Sequence, residues 1–363
     1  MRFFENIARR ALLKLDAEQA HLAGIKALKR GAVKPTRRLD SDLLRVELAG
    51  LAFPNPLGIA AGFDKNAEVP DALLGRGMGF AEVGTVTPRP QDGNPKPRVF
   101  RLPKDKAVIN RLGFNNDGHD KVYKRLDLRR LKGGIVGVNI GANKDSEDFV
   151  EDYVLGVRRF HDVASYFTVN ISSPNTPGLR NLQAAEALRT LLVGVCYANQ
   201  ECALSTGYTV PIFLKIAPDV SDAEIEAIAR EVLDSRIDGL VVSNTTVKRP
   251  EFIEEDHIDE AGGLSGEPLF ESSTLVLAKM RKAVGPDFPI IGVGGITDGA
   301  TALTKIRAGA NLLQVYTGLV YAGFELIDDV KDLLESAVKA AKCSSVNDLV
   351  GLDVDNIISK AGK

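Results

Sequence analysis

The chain has 363 residues and a formal net charge of −2, with 44% hydrophobic and 26% charged residues. This composition is ordinary for a globular protein, and the charge argues against nucleic acid as a general partner. Three cysteines and four histidines stand without metal-ligand spacing, so we expect no metal site, and we expect free thiols in a reducing compartment.

The N-terminal segment is basic, since residues 1–38 carry ten basic and three acidic side chains. Apolar residues at helical spacing between Phe3 and Leu15 predict one short amphipathic helix, and Asp16 opens a second that Gly31 ends. Three interpretations stay open: helices packed on the body as ordinary core, a peripheral patch on an anionic membrane surface, or a cleaved mitochondrial presequence. No apolar run approaches the roughly 20 residues of a membrane span.

From about residue 45 the chain alternates short apolar runs with helical stretches. The runs are mostly continuous, as is typical of parallel strands covered on both faces. There are eight: residues 57–62, 80–87, 134–141, 166–172, 212–217, 239–245, 290–296 and 312–318. Eight such units predict a (β/α)8 TIM barrel of class α/β.

The pattern divides the chain into an N-terminal helical extension, residues 1–40, a barrel domain, residues 41–340, and a polar tail, residues 341–363. Residues 46–52 predict a small hairpin at the bottom of the barrel. Among the helices, Ser221 begins a capping box, and Thr297 is predicted to cap the helix after the seventh run.

In such barrels the active site lies at the C-terminal ends of the strands. Amides and hydroxyls dominate these ends, among them Asn139, Asn170 and Asn244, together with Lys65 and Lys215. Asparagine side chains offer both donors and acceptors, which suits a flat heterocycle with alternating C=O and N–H groups. The lysines supply positive charge for an electron-rich ring or a carboxylate.

The seventh and eighth strand ends are rich in glycine, at residues 292–295 and 316–318. Glycine turns let backbone N–H groups approach a phosphate, although glycines at strand ends also serve simply as tight turns. The dinucleotide fingerprint is absent, because position 297 is threonine. A phosphate site beside a polar rim favours FMN with a small heterocycle stacked on it.

Four segments resemble signatures of the dihydroorotate dehydrogenase family, in the same order: NRLGFNN at 110–116, NISSPNTPG at 170–178, GGLSG at 262–266 and IGVGGI at 291–296. The resemblance covers roughly residues 1–335. It implies an FMN enzyme that oxidises (S)-dihydroorotate to orotate, the fourth step of de novo pyrimidine (UMP) biosynthesis.

Two features resemble the membrane-associated, quinone-dependent class (class 2) of that family. Ser173 stands where the soluble class uses cysteine, and the basic N-terminal helices resemble the extension through which quinone enters. The resemblance implies a membrane quinone, ubiquinone or menaquinone, as electron acceptor. We expect a monomer, attached peripherally to an anionic membrane surface on the cytoplasmic side of the inner membrane.

The resemblance also implies residue roles. Ser173 would remove the C5 proton while the C6 hydride passes to flavin N5, with Thr176 as proton relay. The substrate would contact Lys65, Asn110, Arg111, Leu112, Gly113, Phe114, Asn170, Asn175, Asn244 and Thr245. FMN would lie against Ala61, Gly62, Phe63, Asp64, Lys65, Thr85, Asn139, Asn170, Lys215, Ser243, Gly266, Gly295, Tyr316 and Thr317. His21, Arg101 and Tyr316 would lie near the quinone path.

Two alternatives remain open at this point. One is another FMN barrel that exchanges electrons between a pyrimidine and fumarate or NAD, against which Ser173 and the N-terminal extension argue. The other is an inactive, membrane-docked barrel scaffold, which need not keep both lysines, Ser173 and the asparagines.

Overall fold

The computed structural model describes residues 13–176, 178–250 and 256–361. Its centre is a closed barrel of eight parallel strands, as the sequence predicted. The strands in chain order are β1 (Val46–Leu48), β2 (Leu51–Phe53), β3 (Leu57–Asp64), β4 (Phe80–Val86), β5 (Val99–Leu102), β6 (Ala107–Asn110), β7 (Ile135–Ile140), β8 (Tyr166–Asn170), β9 (Ile212–Ile216), β10 (Gly239–Val242), β11 (Gly263–Gly266), β12 (Ile290–Val293) and β13 (Leu312–Val315). Each of the eight predicted runs overlaps one barrel strand, and pairing of β13 with β3 closes the ring.

Helices surround the barrel and follow its strands. In chain order they are α1 (Ala17–Lys29), α2 (Pro70–Gly75), α3 (His119–Leu128), α4 (Phe149–Phe160), α5 (Ala185–Thr206), α6 (Asp222–Ser235), α7 (Phe270–Val284), α8 (Gly299–Arg307), α9 (Thr317–Ala322), α10 (Glu325–Ala340) and α11 (Val354–Ala361). Within the described residues no helix is long and apolar enough to cross a membrane.

Aromatic rings fill the lower part of the barrel. Phe80 and Tyr166 lie edge to face with ring centroids 6.2 Å apart, and Tyr166 and Phe213 lie 5.5 Å apart. Glycines on neighbouring strands make room for them, because a Cβ atom on Gly58 would sit 2.5 Å from Phe80 and one on Gly137 would sit 2.1 Å from Tyr166. The core is therefore packed at these points by pairing large with small residues.

The predicted hairpin at the barrel bottom is confirmed as the antiparallel pair β1–β2, whose Phe53 ring meets Phe80 at 5.3 Å. At the opposite end β5, β6 and β11 form a three-stranded antiparallel sheet. This upper sheet has its own small core: Phe100, Leu102, Ala107, Ile109 and Leu264. It carries Asn110 and Gly266 over the C-terminal end of the barrel.

Helix starts follow the expected chemistry with one correction. The Ser221–Glu224 capping box of α6 and the Asp16 cap of α1 are confirmed. The prediction that Thr297 caps α8 is wrong, because Asp298 accepts the Thr301 amide at 2.8 Å instead. A carboxylate accepts a helix-start N–H more strongly than a hydroxyl does, and it also interacts favourably with the helix dipole.

The C-terminal segment packs differently from what its composition predicted. The first predicted helix falls largely on residues 1–12, outside the described part of the chain. The segment predicted as a polar tail contains α11, and Val346 and Leu349 are buried against the body. Asp353 pairs with Arg307 of α8. Val354, Ile357 and Ile358 of α11 stand at helical spacing and pack against the core, so the sequence carried a short helical pattern within a mostly polar segment.

Candidate active site

A cavity of about 780 Å³ lies between the C-terminal ends of the strands, the upper sheet and α1. Most of the predicted site residues line it: His21, Ala61, Gly62, Phe63, Asp64, Lys65, Thr85, Arg101, Asn110, Leu112, Gly113, Phe114, Asn170, Ser173, Asn175, Lys215, Ser243, Asn244, Thr245, Gly266, Gly295, Tyr316 and Thr317. We call its floor of strand-end polar groups, which includes Lys65, Asn170, Lys215 and Asn244, the inner half. The part bounded by α1 and α9 is the outer half.

Three predicted residues do not line the cavity. Asn139 lies beneath it, inside the barrel, and Thr176 is buried beside it. Arg111 faces away and is held by Glu260, whose carboxylate accepts from its guanidinium at 2.6 Å. The same guanidinium lies over the Phe100 ring at 4.6 Å. The Arg111 side chain therefore braces the upper sheet at the cavity edge.

Hydrogen bonds link the amides of the inner half into one network. Thr85 Oγ1 donates to Asn139 Oδ1 at 2.6 Å and accepts from Asn170 Nδ2 at 3.0 Å. Asn170 Oδ1 accepts from Ser172 Oγ at 3.0 Å, and that hydroxyl accepts from Asn244 Nδ2 at 3.0 Å. The network fixes which end of each amide side chain faces the cavity.

Glu82 anchors this network, and it was not among the residues predicted from the sequence. Its fully buried carboxylate accepts from Asn139 Nδ2 at 2.8 Å, Gln314 Nε2 at 2.6 Å, and the hydroxyls of Tyr166 and Thr168, each at 3.0 Å. Four donors compensate the desolvation of this carboxylate. An acidic residue in the middle of the apolar run 80–87 was the signal that could have revealed it.

Ser173 follows β8 and is buried at the cavity wall. Its Oγ accepts the Asn175 backbone N–H at 3.2 Å. Asn175 Nδ2 in turn donates to the Asn110 carbonyl at 3.2 Å, which joins the β8 loop to the upper sheet. One serine hydroxyl and two amides thus meet at one wall of the cavity.

Two lysines bring positive charge to the inner half. Burial lowers the pKa of Lys65 to about 8, although the nearby Glu18 carboxylate favours its charged form. Burial also lowers the pKa of Lys215, and Glu82 offsets part of this shift. An anionic or electron-rich ligand would replace the water that these ammonium groups have lost.

Glycine turns form another wall of the cavity. Gly266, Gly294 and Gly295 have φ values of 100°, 107° and 74°. A Cβ on Gly295 would lie 2.4 Å from Phe270, so only glycine fits this turn. Close by, the Ser265 and Thr317 hydroxyls lie 2.8 Å apart. Backbone and hydroxyl donors that approach a cavity this closely suit a phosphate.

Aromatic rings mark the passage from the inner to the outer half. His21 on α1 lies edge to face with Phe63 at 5.5 Å, and its Nδ1 is 3.5 Å from the Tyr316 hydroxyl. Burial and the Lys65 charge lower the pKa of His21 to about 3, so its imidazole is neutral. Beyond it the lining is largely apolar and includes Leu28 and Phe324. This half suits a flat apolar ligand with a polar edge.

The described residues contain no group of three or more His, Cys, Asp or Glu side chains that could hold a metal ion.

Comparisons with known proteins identify the family of this chain. The sequence matches the family model described as Dihydroorotate dehydrogenase over residues 43–338. Proteins named Dihydroorotate dehydrogenase (quinone) from Brucella ovis and Brucella canis are each 59% identical over 346 residues, which is 95% of this chain and 95% of each relative. Two crystal structures from Eimeria tenella are similar to this chain in fold. The DHODH complex with ferulenol has a TM-score of 0.90 at 40% identity, and the match covers 93% of this chain and 96% of that one. The ligand-free form has a TM-score of 0.89 at 42% identity, over 93% of this chain and 99% of that one.

Proposed function

This chain belongs to the dihydroorotate dehydrogenase family, and we propose that it oxidises (S)-dihydroorotate to orotate and passes the electrons to a membrane quinone. The reaction is the fourth step of de novo UMP biosynthesis. One observation carries the proposal: a single cavity joins a polar inner half, with Ser173 and Lys65, to an apolar outer half bounded by α1. Each half suits one of the two substrates.

The proposed cofactor is FMN. The glycine turn at Gly294 and Gly295, with Gly266 and Thr317, would hold its phosphate, and Lys215 would lie at the ring. Ala61, Thr85 and Ser243 would line the ring's remaining surface. A bound flavin supplies the two-electron oxidation that the protein's own side chains lack.

Ser173 is the proposed base for the C5 proton of dihydroorotate. A neutral serine is a weak base, so its own proton needs an outlet. Thr176 is the proposed relay, through its hydroxyl or a water beside it. Burial of Ser173 at the wall that also presents Asn110 and Asn175 supports this role, because those amides would hold the pyrimidine ring.

The substrate carboxylate is the proposed partner of Lys65. Asn170, Asn244 and Thr245 complete the substrate site, and Leu112, Gly113 and Phe114 cover it. Asn139 lies beneath the cavity and would orient the site from there, because it accepts a hydrogen bond from Thr85, which in turn accepts one from Asn170.

The quinone is the proposed ligand of the outer half, where His21 and Tyr316 supply the polar edge. Arg101 is bound to the Leu15 carbonyl just before α1, and its side chain also lines the cavity. Leu22 is 56% exposed on α1 beside the basic Lys26. These features support peripheral attachment to an anionic membrane surface. The proposed location is the cytoplasmic side of the inner membrane. The proposed working unit is a monomer.

An anaerobic visible spectrum of the purified protein in mild detergent tests the proposal. The flavin band should bleach when dihydroorotate is added and return when a ubiquinone analogue follows. A band that bleaches but returns only with fumarate or NAD contradicts the quinone. A flavin that stays oxidised with dihydroorotate contradicts the substrate, and a protein without flavin contradicts the cofactor.

A further inference from the structure

The side chain of Glu18 reaches from α1 into the wall of the inner half. Its carboxylate accepts two hydrogen bonds from the Arg98 guanidinium, at 3.1 Å from Nε and 2.7 Å from Nη2. Lys96 Nζ lies 3.4 Å from the same carboxylate. Arg98 is only 6% exposed, so Glu18 compensates a cation that water barely reaches.

Arg98 connects Glu18 to the residues that follow Asn110 at the cavity wall. Its Nη1 donates to the carbonyls of Asp92 and Asn94 at 2.6 and 2.8 Å. Asn94 in turn donates its backbone N–H to the Leu112 carbonyl at 3.0 Å. Its Nδ2 also donates to the carbonyl of Arg111 at 2.9 Å. Glu18 thus holds residues 92–98, and these hold the segment that follows Asn110.

The same carboxylate acts on Lys65. The charged groups around Lys65 are Glu18 from α1, Arg98 from the segment before β5 and Asp64 from β3. Burial lowers the pKa of Lys65, Arg98 lowers it further, and Glu18 and Asp64 raise it. Loss of the Glu18 charge would therefore lower this pKa, and Lys65 would lose its proton at a lower pH.

We propose that Glu18 is a positioning residue for dihydroorotate, which acts through Arg98 to fix the loop beside Asn110 at the substrate site. The inference rests on the proposed function and extends it, because α1 then serves the substrate site as well as the quinone site.

The test is Glu18→Gln in the holoenzyme, assayed with dihydroorotate and a soluble dye as electron acceptor across a range of pH. KM for dihydroorotate should rise on the order of tenfold, since a buried cation loses its partner, while kcat changes far less. The fall of kcat/KM at high pH should begin at a lower pH than in the unmodified protein. A purely structural loosening would not move the pH profile.

Two further variants separate positioning from simple docking of α1. Lys29→Gln removes another ion pair between α1 and the body, Lys29 Nζ to Glu68 Oε2 at 2.7 Å, and it should leave both KM and the pH profile unchanged. Glu18→Asp keeps the charge on a shorter side chain. It should restore most of the pH profile. If Glu18→Gln does not fold, Glu18→Asp should still raise KM, since the shorter side chain cannot keep both hydrogen bonds to Arg98, and an unchanged KM then overturns the inference.

An unchanged KM and pH profile in Glu18→Gln overturns the inference, and so does an equal rise of KM in Lys29→Gln. Failure of the proposed function gives a different result, because dihydroorotate would then not bleach the flavin of the unmodified protein at all.

Discussion

The inner and outer halves of the cavity are built in different ways. The inner half consists of side chains at the ends of barrel strands. Their orientation is fixed by a hydrogen-bond network in which Asn139 donates to Glu82 and accepts from Thr85. The outer half depends on α1, which comes before the barrel in the chain and is docked by contacts such as Glu18–Arg98. A rigid floor suits bond-breaking at a fixed distance, whereas a docked helix suits the entry of an apolar ligand from a membrane.

This difference predicts that substitutions in the inner half affect the dihydroorotate half-reaction. Substitutions in the outer half should affect the quinone half-reaction.

The largest effect is expected for Ser173→Ala. Removal of the proposed base should slow flavin reduction by roughly 10²- to 10⁴-fold. Stopped-flow absorbance under anaerobic conditions measures this rate, and it should rise with pH in the unmodified protein. Bound flavin, released by heat and quantified, should stay at one per chain; fast reduction in the variant would rule out Ser173 as the base.

Lys65→Met should produce the next largest effect. In the unmodified protein the Lys65 cation is present below its pKa of about 8 and is lost as the pH rises through that value. Affinity for the substrate anion should therefore fall above this pH. The variant should have a kcat/KM lower by about 100-fold at neutral pH, without the fall at high pH, since a close charge pair is lost. If kcat/KM of the variant still fell at high pH, a group other than Lys65 would be responsible for that fall.

His21→Phe should have a smaller effect, confined to the outer half. KM for a ubiquinone analogue should rise by about fivefold, because a hydrogen-bonding edge is lost while the ring volume stays similar. Flavin reduction by dihydroorotate should be unchanged. Because burial keeps His21 neutral, with a pKa of about 3, quinone KM in the unmodified protein should not titrate between roughly pH 5 and 8. A titration in that range would contradict the neutral imidazole.

Ser221→Ala serves as a control for both halves and should have the smallest effect. It removes the capping box of α6, remote from the cavity lining. The free energy of unfolding should fall by about 1 kcal/mol, measured by urea denaturation of the holoenzyme. Both half-reactions should keep their rates, and a change in either would mean that the helix layer transmits strain to the cavity.

Much of the inner half was predictable because strands buried on both faces leave a direct trace in the sequence. Each apolar run became a barrel strand, and the polar residue after it became part of the rim, as for Lys65 and Asn244. What the sequence did not predict is the orientation of some side chains. Arg111 belongs to a predicted site segment, yet its side chain turns outward to Glu260. Asn139 sits at the expected strand end, yet it points into the barrel toward Glu82.

The sequence by itself determined the family, the barrel and the chemical character of the rim, because these depend on local apolar runs, turn glycines and short motifs. Only the tertiary structure decided how the halves meet. The pairing of Glu18 with Arg98 joins residues 80 positions apart, and Glu82 gathers donors from three other strands. Such contacts leave no periodic signal, since they arise when barrel closure and helix docking bring distant side chains within hydrogen-bonding distance.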